Sequence, residues 1–240
     1  MFKRIGLVLF VFQISACSEL QNIVKSVSDT TSTESVLSNS QIGNGLKEAL
    51  ENGIEHQVTK LASDGGFYTN DAVKILLPAE LRKVDETLRS IGLGDLADQG
   101  LKLLNSAAED AVKESIPVFV NAVQEMSITD VKTILFGNKN AATVYLESKT
   151  KDELYAKFNP VIKESFTKVG ADKVWSTLIT KYNSIPFIED VNPNLTDYVT
   201  QEALQGVFTM IAVEEVGIRE KVSLRSSSLL QQVFALQDEK

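Results

Sequence analysis

The sequence predicts an all-α protein, folded as a compact bundle of about eight to ten helices. Apolar residues recur every three or four positions through most of the chain, which is the period of a helix with one buried face. Residues that cap or end helices stand where these stripes begin or stop. One segment, Val73–Leu77, is β-branched and apolar and precedes Pro78, so the sequence allows a short extended stretch there.

The first half of the chain contains four predicted helices. The first carries a buried stripe over 42–61 and ends at Asp64–Gly66. The next begins at Pro78 and ends before Gly92, because proline suits a first helical turn and glycine a helix end. A long helix follows over 95–115, and Pro117 starts another.

The second half continues the pattern with six predicted helices. Ser127 or Thr129 starts a short one that ends at Gly137, and another covers 140–148. Thr150 and Glu153 form a capping-box pattern, which predicts a new helix from Thr150 to Gly170 with a kink caused by Pro160. The remaining three are centred on Trp175–Tyr182, capped by Thr196 with a core section over 203–213, and started at Ser226–Ser228.

The N-terminus reads as an export signal. Lys3 and Arg4 precede the apolar run Ile5–Phe12, which is far shorter than the roughly 20 residues that a membrane-spanning helix needs. The following "ISAC", Ile14 to Cys17, resembles the bacterial lipobox, which implies cleavage before Cys17 and acylation of that cysteine. The alternative is an ordinary signal peptide with an incidental cysteine.

Three regions follow from this reading. Residues 1–16 are the predicted lipoprotein signal peptide, and 17–40 are the lipidated cysteine and a Ser/Thr-rich flexible tether. Residues 41–240 are predicted to form a single globular domain. Ser18 resembles the usual residue for outer-membrane sorting, so we expect attachment to the outer membrane on its periplasmic face.

Charge limits the partners of the mature protein. Loss of 1–16 removes Lys3 and Arg4 from a formal net charge of −8 and leaves −10. Nucleic-acid binding requires a basic face, and adsorption to anionic lipid requires a basic run, neither of which the sequence contains. We therefore expect no nucleic-acid partner, and expect membrane attachment through the acyl chains of Cys17.

The sequence offers few groups for catalysis or metal binding. It has one histidine, His56, and one cysteine, which the lipid would occupy. A catalytic triad needs a base beside its nucleophile, and a zinc site needs several nitrogen or sulfur ligands. The sequence accordingly predicts no catalytic residue, no metal and no cofactor.

Polar residues at positions where a buried stripe is expected are the remaining candidates for a site. Glu214 is flanked at three and four positions by apolar residues or glycine, so we expect its carboxylate to face the interior. Arg219 lies four residues after Glu215, and these two can pair along the helix. The candidate cluster of buried polar or ligand-binding residues is Asn105, Glu109, Thr143, Tyr145, Glu214 and Arg219.

Two interpretations of this cluster stay open. Small alanines around these residues allow helices to approach closely, which would gather the polar groups into one satisfied buried network that fixes helix register. Alternatively, a carboxylate in a cleft binds a ligand or acts as a general acid or base.

Six segments together resemble a known family, the domain of unknown function family 4197. They are "GLKEAL" (45–50), "LPAEL" (77–81), "NSAAEDA" (105–111), "AATVY" (141–145), "FNP" (158–160) and "DYVTQEALQGVFTMIAVEEVGIR" (197–219). The resemblance extends over 45–234 and implies an exported, mostly helical bacterial protein. It supplies no activity and no catalytic residue.

Three hypotheses for function follow. The leading one is a non-enzymatic lipoprotein, tethered by Cys17, that binds an envelope protein or a small apolar ligand. The second is a carboxylate-based hydrolase that uses Glu214 or Glu109 with Arg219 in a helical pocket, and the third is a structural envelope protein.

Overall fold

Helices make up most of the chain in the computed structural model, which describes residues 37–77, 82, 86, 89–90, 92, 94–184, 186–187, 190, 192 and 194–238, without the side chains of 96, 174, 175, 178, 179, 181 and 182. These residues contain eight α-helices and no β-strand, which confirms the predicted fold class. The helices are α1 (Asn39–Leu61), α2 (Gly94–Val112), α3 (Ser115–Gln124), α4 (Ile128–Leu135), α5 (Ala141–Val169), α6 (Ala171–Asn183), α7 (Leu195–Glu220) and α8 (Ser228–Asp238), with a short 3₁₀ turn at Val222–Leu224.

Several predicted features lie outside the described residues. They are the signal peptide, Cys17, the tether as far as residue 36, and most of the helix predicted to start at Pro78. The described residues from Asn39 onward form one compact unit, which α1 begins.

Helix α7 lies in the middle of the bundle, because its own apolar residues occupy most of its circumference and are buried against several helices. Its longest contact is with α5, followed by α1, and α2 also packs against it. Phe208 of α7 meets Phe119 of α3 edge to face, with ring centroids 5.8 Å apart. The predicted core section 203–213 thus lies inside the longer helix that forms the centre of the fold.

Close approach at Gly206 fixes the segment that follows α1. Four residues after the end of α1, Gly65 adopts a left-handed conformation (φ +79°), which glycine tolerates, in a turn where the Gly66 N–H donates to the Ser63 carbonyl. The chain then turns Phe67 fully into the core, against Gly206 of α7. A Cβ on Gly206 would lie 2.7 Å from Phe67 Cε1, so the absence of a side chain there makes room for the ring.

Capping residues in the sequence correctly predicted helix ends where the side chain and the backbone group it bonds to lie close in sequence. Ser127 and Asp130 form a reciprocal capping box at the start of α4, and Gly170 ends α5 in a left-handed conformation. At the start of α7 the cap is Asn194, whose side chain accepts from the Asp197 N–H. Thr196, the predicted cap, lies inside the helix and donates to Asp172 instead.

The predicted break at Thr150 is wrong. Helices expected over 140–148 and 150–170 form one helix, α5, in which Thr150 is buried and donates its hydroxyl to the Leu146 carbonyl. The apolar stripe continues across this point through Leu146, Leu154 and Phe158, all fully buried, so packing against α7 maintains the helix. Pro160 also lies within α5.

The segment Val73–Leu77 is irregular rather than a strand among the described residues. The backbone of Ile75 nevertheless bonds as it would in a sheet, because the Asn105 side chain accepts from its N–H at 2.8 Å and donates to its carbonyl at 2.9 Å. The Asn105 carboxamide thus makes the two backbone hydrogen bonds that a neighbouring strand would make in a sheet.

Candidate functional site

Asn105 and Glu109 face the segment that follows α1. Asn105 is completely buried on Ile75 and also donates to the Leu101 carbonyl at 2.7 Å. Glu109, one helical turn later and 5% exposed, accepts from the N–H groups of Phe67 at 3.1 Å and Tyr68 at 3.4 Å. Both side chains therefore satisfy backbone groups that would otherwise be buried without partners.

Glu214 is partly buried where α1 meets α7, so it has the predicted partner but does not lie in the core as expected. Its side chain is 18% exposed, accepts from Gln57 Nε2 at 2.6 Å and lies 3.5 Å from His56 Nδ1. Gly53 of α1 leaves room for Glu214 where α1 crosses α7, since a Cβ there would lie 3.1 Å from Glu214 Cγ. The carboxylate that faces the core belongs to the next residue, Glu215.

Glu215 closes the buried N-terminus of α5. Its Oε1 accepts from the Ala142 N–H at 2.9 Å, and its Oε2 accepts from the Thr143 N–H at 2.9 Å and the Thr143 hydroxyl at 2.8 Å. Asn140, at the N-cap position, makes no side-chain capping bond, so a residue from α7 satisfies these first amides. A carboxylate at the positive end of a helix dipole is electrostatically favourable.

Arg219 pairs with Glu215 and closes the C-terminus of α4. Its Nε and one terminal nitrogen donate to Glu215 Oε1 at 3.0 and 2.8 Å, which confirms the predicted pairing at four-residue spacing. The guanidinium also donates to the carbonyls of Ile134 at 2.8 Å and Leu135 at 3.1 Å. We call Glu215, Arg219 and Thr143 the clamp, because one ion pair on α7 caps both α4 and α5.

Helix α8 joins the clamp at its end. Gln237 accepts from Arg219 at 2.7 Å. A second buried arginine, Arg225, donates to the carbonyls of Ile218 and Arg219 at the end of α7, and to Asp238 at 2.6 and 3.0 Å. The sequence pattern did not reveal these partners, because the atoms they bind are brought near only by the fold.

The predicted cluster is therefore not one network. Asn105 and Glu109 hold the segment after α1, Glu214 bonds to α1, and Thr143 and Arg219 belong to the clamp. The physical reason is that Asn105 and Glu109 lie where α2 contacts the 67–75 segment, whereas the start of α5 meets α7 at Glu215.

Tyr145, the remaining candidate, lies in a groove above the clamp. The groove runs between α4 and the first turns of α5 and has a volume of about 370 Å³. Its described lining is Asp130, Thr133, Ile134, Gly137, Asn138, Asn140, Ala141, Val144, Tyr145 and Ser148. Ile134 is a residue that Arg219 caps, so the clamp fixes the distance between the two walls.

A smaller cavity of about 260 Å³ adjoins the groove and shares Asp130 and Tyr145 with it. Its other described lining residues are Val118, Asn121, Ala122, Glu125, Lys149, Thr150 and Glu153. We call the groove and this cavity together the Tyr145 cleft. Lys149 Nζ lies 5.7 Å from the centroid of the Tyr145 ring, on the cavity side.

The electrostatics of the Tyr145 cleft keep its phenol protonated and the Asp130 carboxylate charged. Burial, followed by the charges of Asp130 and Glu125, raises the pKa of Tyr145 above its ordinary value of 10.0. Hydrogen bonds from the hydroxyl and the backbone of Ser127 lower the pKa of Asp130 below its ordinary value of 3.8. At neutral pH the phenol is therefore a hydrogen-bond donor beside a fixed negative charge.

Three uncharged polar side chains in the groove have no hydrogen-bond partner within the described part of the chain. They are the carboxamides of Asn138 and Asn140 and the hydroxyl of Tyr145. The Thr133 and Ser148 hydroxyls, by contrast, donate to backbone carbonyls of their own helices at 2.9 and 2.7 Å. The free groups are thus concentrated around the turn that joins α4 to α5.

A family model for proteins of unknown function, DUF4197, matches residues 36–235. The chain belongs to this family. The DUF4197 match includes the whole Tyr145 cleft and the clamp, whereas Gln237 and Asp238, the α8 partners of the two arginines, lie beyond it. No curated protein and no solved structure matches the chain.

Two further observations apply to the described part of this DUF4197 chain. None of its helices there is both long enough and apolar enough to cross a membrane. The same residues contain no group of three or more His, Cys, Asp or Glu side chains placed to hold a metal ion.

Proposed function

We propose that this protein is a lipid-anchored protein of the bacterial cell envelope that acts by binding, with the Tyr145 cleft as its binding surface. The observation that carries the proposal is the set of unpaired polar groups around a groove of about 370 Å³, within the usual range of about 300–1,000 Å³ for small-molecule sites. The clamp holds the walls of this groove in place, so the site is preformed.

The anchor in this proposal is Cys17, and the "ISAC" motif supports it. Helix α1 is the first described helix after that cysteine, and its first turns pack against α4, one wall of the cleft. Gly43 makes this contact close, since a Cβ there would lie 3.2 Å from Ile128 Cδ1. The cleft therefore lies near the end of the domain at which α1 begins.

The geometry gives less support to a hydrolase. That hypothesis requires Glu109 or Glu214 to meet Arg219 in an open pocket. Among the described residues, the hydrogen bonds of Arg219 go to Glu215, Gln237 and two α4 carbonyls, and its side chain is only 3% exposed. Each carboxylate instead holds a neighbouring segment or helix.

Mass spectrometry of the protein extracted from membranes tests the anchor. We expect the mature chain to begin at Cys17 and to carry fatty acyl groups there, and to sediment with outer membranes. Cys17→Ser is expected to leave an uncleaved chain without acyl groups. An unmodified N-terminus downstream of Cys17 in the unmutated protein would refute the anchor.

Site-specific photo-crosslinking in cells tests the binding surface. A photoreactive amino acid at Val144, which is 55% exposed in the groove, is expected to form an adduct. The matched control is Val169, which is 58% exposed at the other end of α5 and outside the cleft. Equal labelling at both positions, or none at either, would contradict the proposed surface.

A further inference from the structure

We propose that the Tyr145 cleft binds a neutral saccharide of one or two rings. This inference rests on the proposed binding function and adds the chemical class of the ligand. It follows from the charge, the hydrogen-bonding groups, the apolar contacts and the shape of the groove.

Charge argues against an anionic ligand. Asp130 is the single ionisable acid among the described groove-lining residues, and none of those residues is a lysine or arginine. The one lysine of the described Tyr145 cleft, Lys149, lines the adjoining cavity together with Glu125 and Glu153, so the cleft has three carboxylates against one cation. A phosphate or carboxylate in the groove would meet the Asp130 charge with no cation of the groove to pair with. The groove therefore selects a ligand without negative charge.

The unpaired polar groups argue against a purely apolar ligand, which the sequence alone had left as one possibility. An apolar molecule over Asn138 and Asn140 would remove water from two carboxamides and return no hydrogen bonds, which is unfavourable. Each carboxamide offers two donor hydrogens and an acceptor oxygen, and the Tyr145 hydroxyl offers one donor. Vicinal hydroxyl groups, which both donate and accept, match this set.

Apolar contact is also available beside these polar groups. The Tyr145 ring, Val144 and Ala141 belong to one stretch of α5 that lines the groove. A pyranose ring presents hydroxyls at its edge and C–H groups on its face, so it can bond to the carboxamides while its face packs on the aromatic ring.

Shape favours a small sugar over a peptide. Peptides bind by adding a strand to a sheet edge or by placing an apolar helix face in a groove. The described residues include no sheet, and the described lining of this groove contains polar residues from both helices. The volume of about 370 Å³ lies near the lower end of small-molecule sites, which suits one or two rings.

The test is a titration of the full chain with defined sugars, N,N′-diacetylchitobiose and cellobiose, followed by amide NMR shifts and calorimetry. We expect at least one sugar to shift the resonances of 137–148. Tyr145→Ala and Asn140→Ala are expected to weaken the affinity about tenfold or more. Asn140 makes no side-chain capping bond, so we expect its substitution to leave the start of α5 intact.

The control is Asn52→Ala, an exposed asparagine on α1, for which we expect unchanged affinity. Tyr145→Phe retains the ring and separates loss of the hydroxyl from any loss of folding, and we expect intermediate affinity. Equal weakening by Asn52→Ala would overturn the proposal.

Absence of any shift in 137–148 at millimolar concentrations of both sugars overturns the saccharide proposal. Labelling at Val144 in cells then decides the binding function separately. An adduct there without sugar binding would support the proposed binding function with another ligand. No adduct would refute both the binding function and the saccharide proposal.

Discussion

Glu215 and Arg219 each satisfy two kinds of partner, an opposite charge and the unpaired backbone groups of a helix end. Buried ion pairs by themselves contribute little to stability, because the loss of hydration offsets the attraction between the charges. The helix ends change this comparison, since the first amides of α5 and the Leu135 carbonyl of α4 depend on the pair, whereas the Ile134 carbonyl also accepts from the Gly137 N–H.

Substitutions in the clamp separate these two contributions. Arg219→Met leaves the Glu215 charge buried and should lower the free energy of unfolding by about 3–5 kcal/mol, measured by urea denaturation. The free energy of unfolding of the double variant Glu215→Leu/Arg219→Met should stay well below that of the unmutated protein, because the Ala142 and Thr143 amides and the Leu135 carbonyl lose these partners.

The exposed pair Lys151–Glu147 on α5 provides the control, with an N–O distance of 3.1 Å. Lys151→Met should change stability by less than about 1 kcal/mol. Recovery of full stability in the double clamp variant would show that the pair has no capping role.

Asp238 makes the docking of α8 sensitive to acid. Its hydrogen bonds from Arg225, opposed by slight burial, lower its pKa below the ordinary 3.8. A lowered folded-state pKa contributes stability above the unfolded pKa, and that stability is lost as the pH falls through the folded value. Amide exchange in α8 should therefore accelerate below about pH 4.

Asp238→Asn should abolish this acid-dependent step while leaving the exchange of α7 unchanged. The effect should be small, because the Asp238 side chain is 44% exposed. Equal acid sensitivity of α8 in the variant and the unmutated protein would assign the step to another group.

Residues were predictable where their partners lie a few positions away. The Glu215–Arg219 pair and the Ser127 cap belong to this class. Glu214 was misplaced because helical periodicity assigns a face but not the neighbour that meets it, and here that neighbour is Gly53 of α1. The partners of Arg225 depend on how the 3₁₀ turn and α8 fold back, which no local pattern encodes.

At the scale of the elements, tertiary packing decided where α5 begins and ends. The capping-box pattern at Thr150 is a genuine local preference, but the fully buried Leu146 and Leu154 on either side of it favour a continuous helix. Helix type and approximate position were predictable from apolar periodicity, whereas internal boundaries depend on contacts with α7.

The contact between α7 and the segment after α1 makes a prediction about glycine. Gly206→Ala should destabilise the fold by about 1–3 kcal/mol, because its Cβ would meet Phe67 at 2.7 Å and Val73 at 3.4 Å. Gly100→Ala on α2 is the matched control, with no atom within 4 Å of the new Cβ.

Gly100→Ala should stabilise the protein by about 0.5–1 kcal/mol through helix propensity alone. Thermal or urea unfolding measures both variants. Equal changes of the same sign in the free energy of unfolding would show that the Phe67 side chain can move aside without destabilising the fold.

At the scale of the whole molecule, the buried polar residues that hold the fold together lie apart from the polar groups that are available to a ligand. Asn105, Glu109 and the clamp hold segments and helix ends inside the domain, while the unpaired groups gather where α4 turns into α5. The fold class followed from composition and periodicity. The Tyr145 cleft could not be predicted from the sequence, because its two walls come from α4 and α5, whose spacing is fixed by Glu215 and Arg219 on α7.

Hydrogen exchange of the full chain in native envelopes, compared with the purified protein, tests the central claim most directly. Binding in the Tyr145 cleft predicts slower exchange over 137–148 in envelopes and unchanged exchange over 157–169, at the other end of α5. Identical exchange over 137–148 in both preparations would contradict the claim that this cleft is the site through which the protein acts.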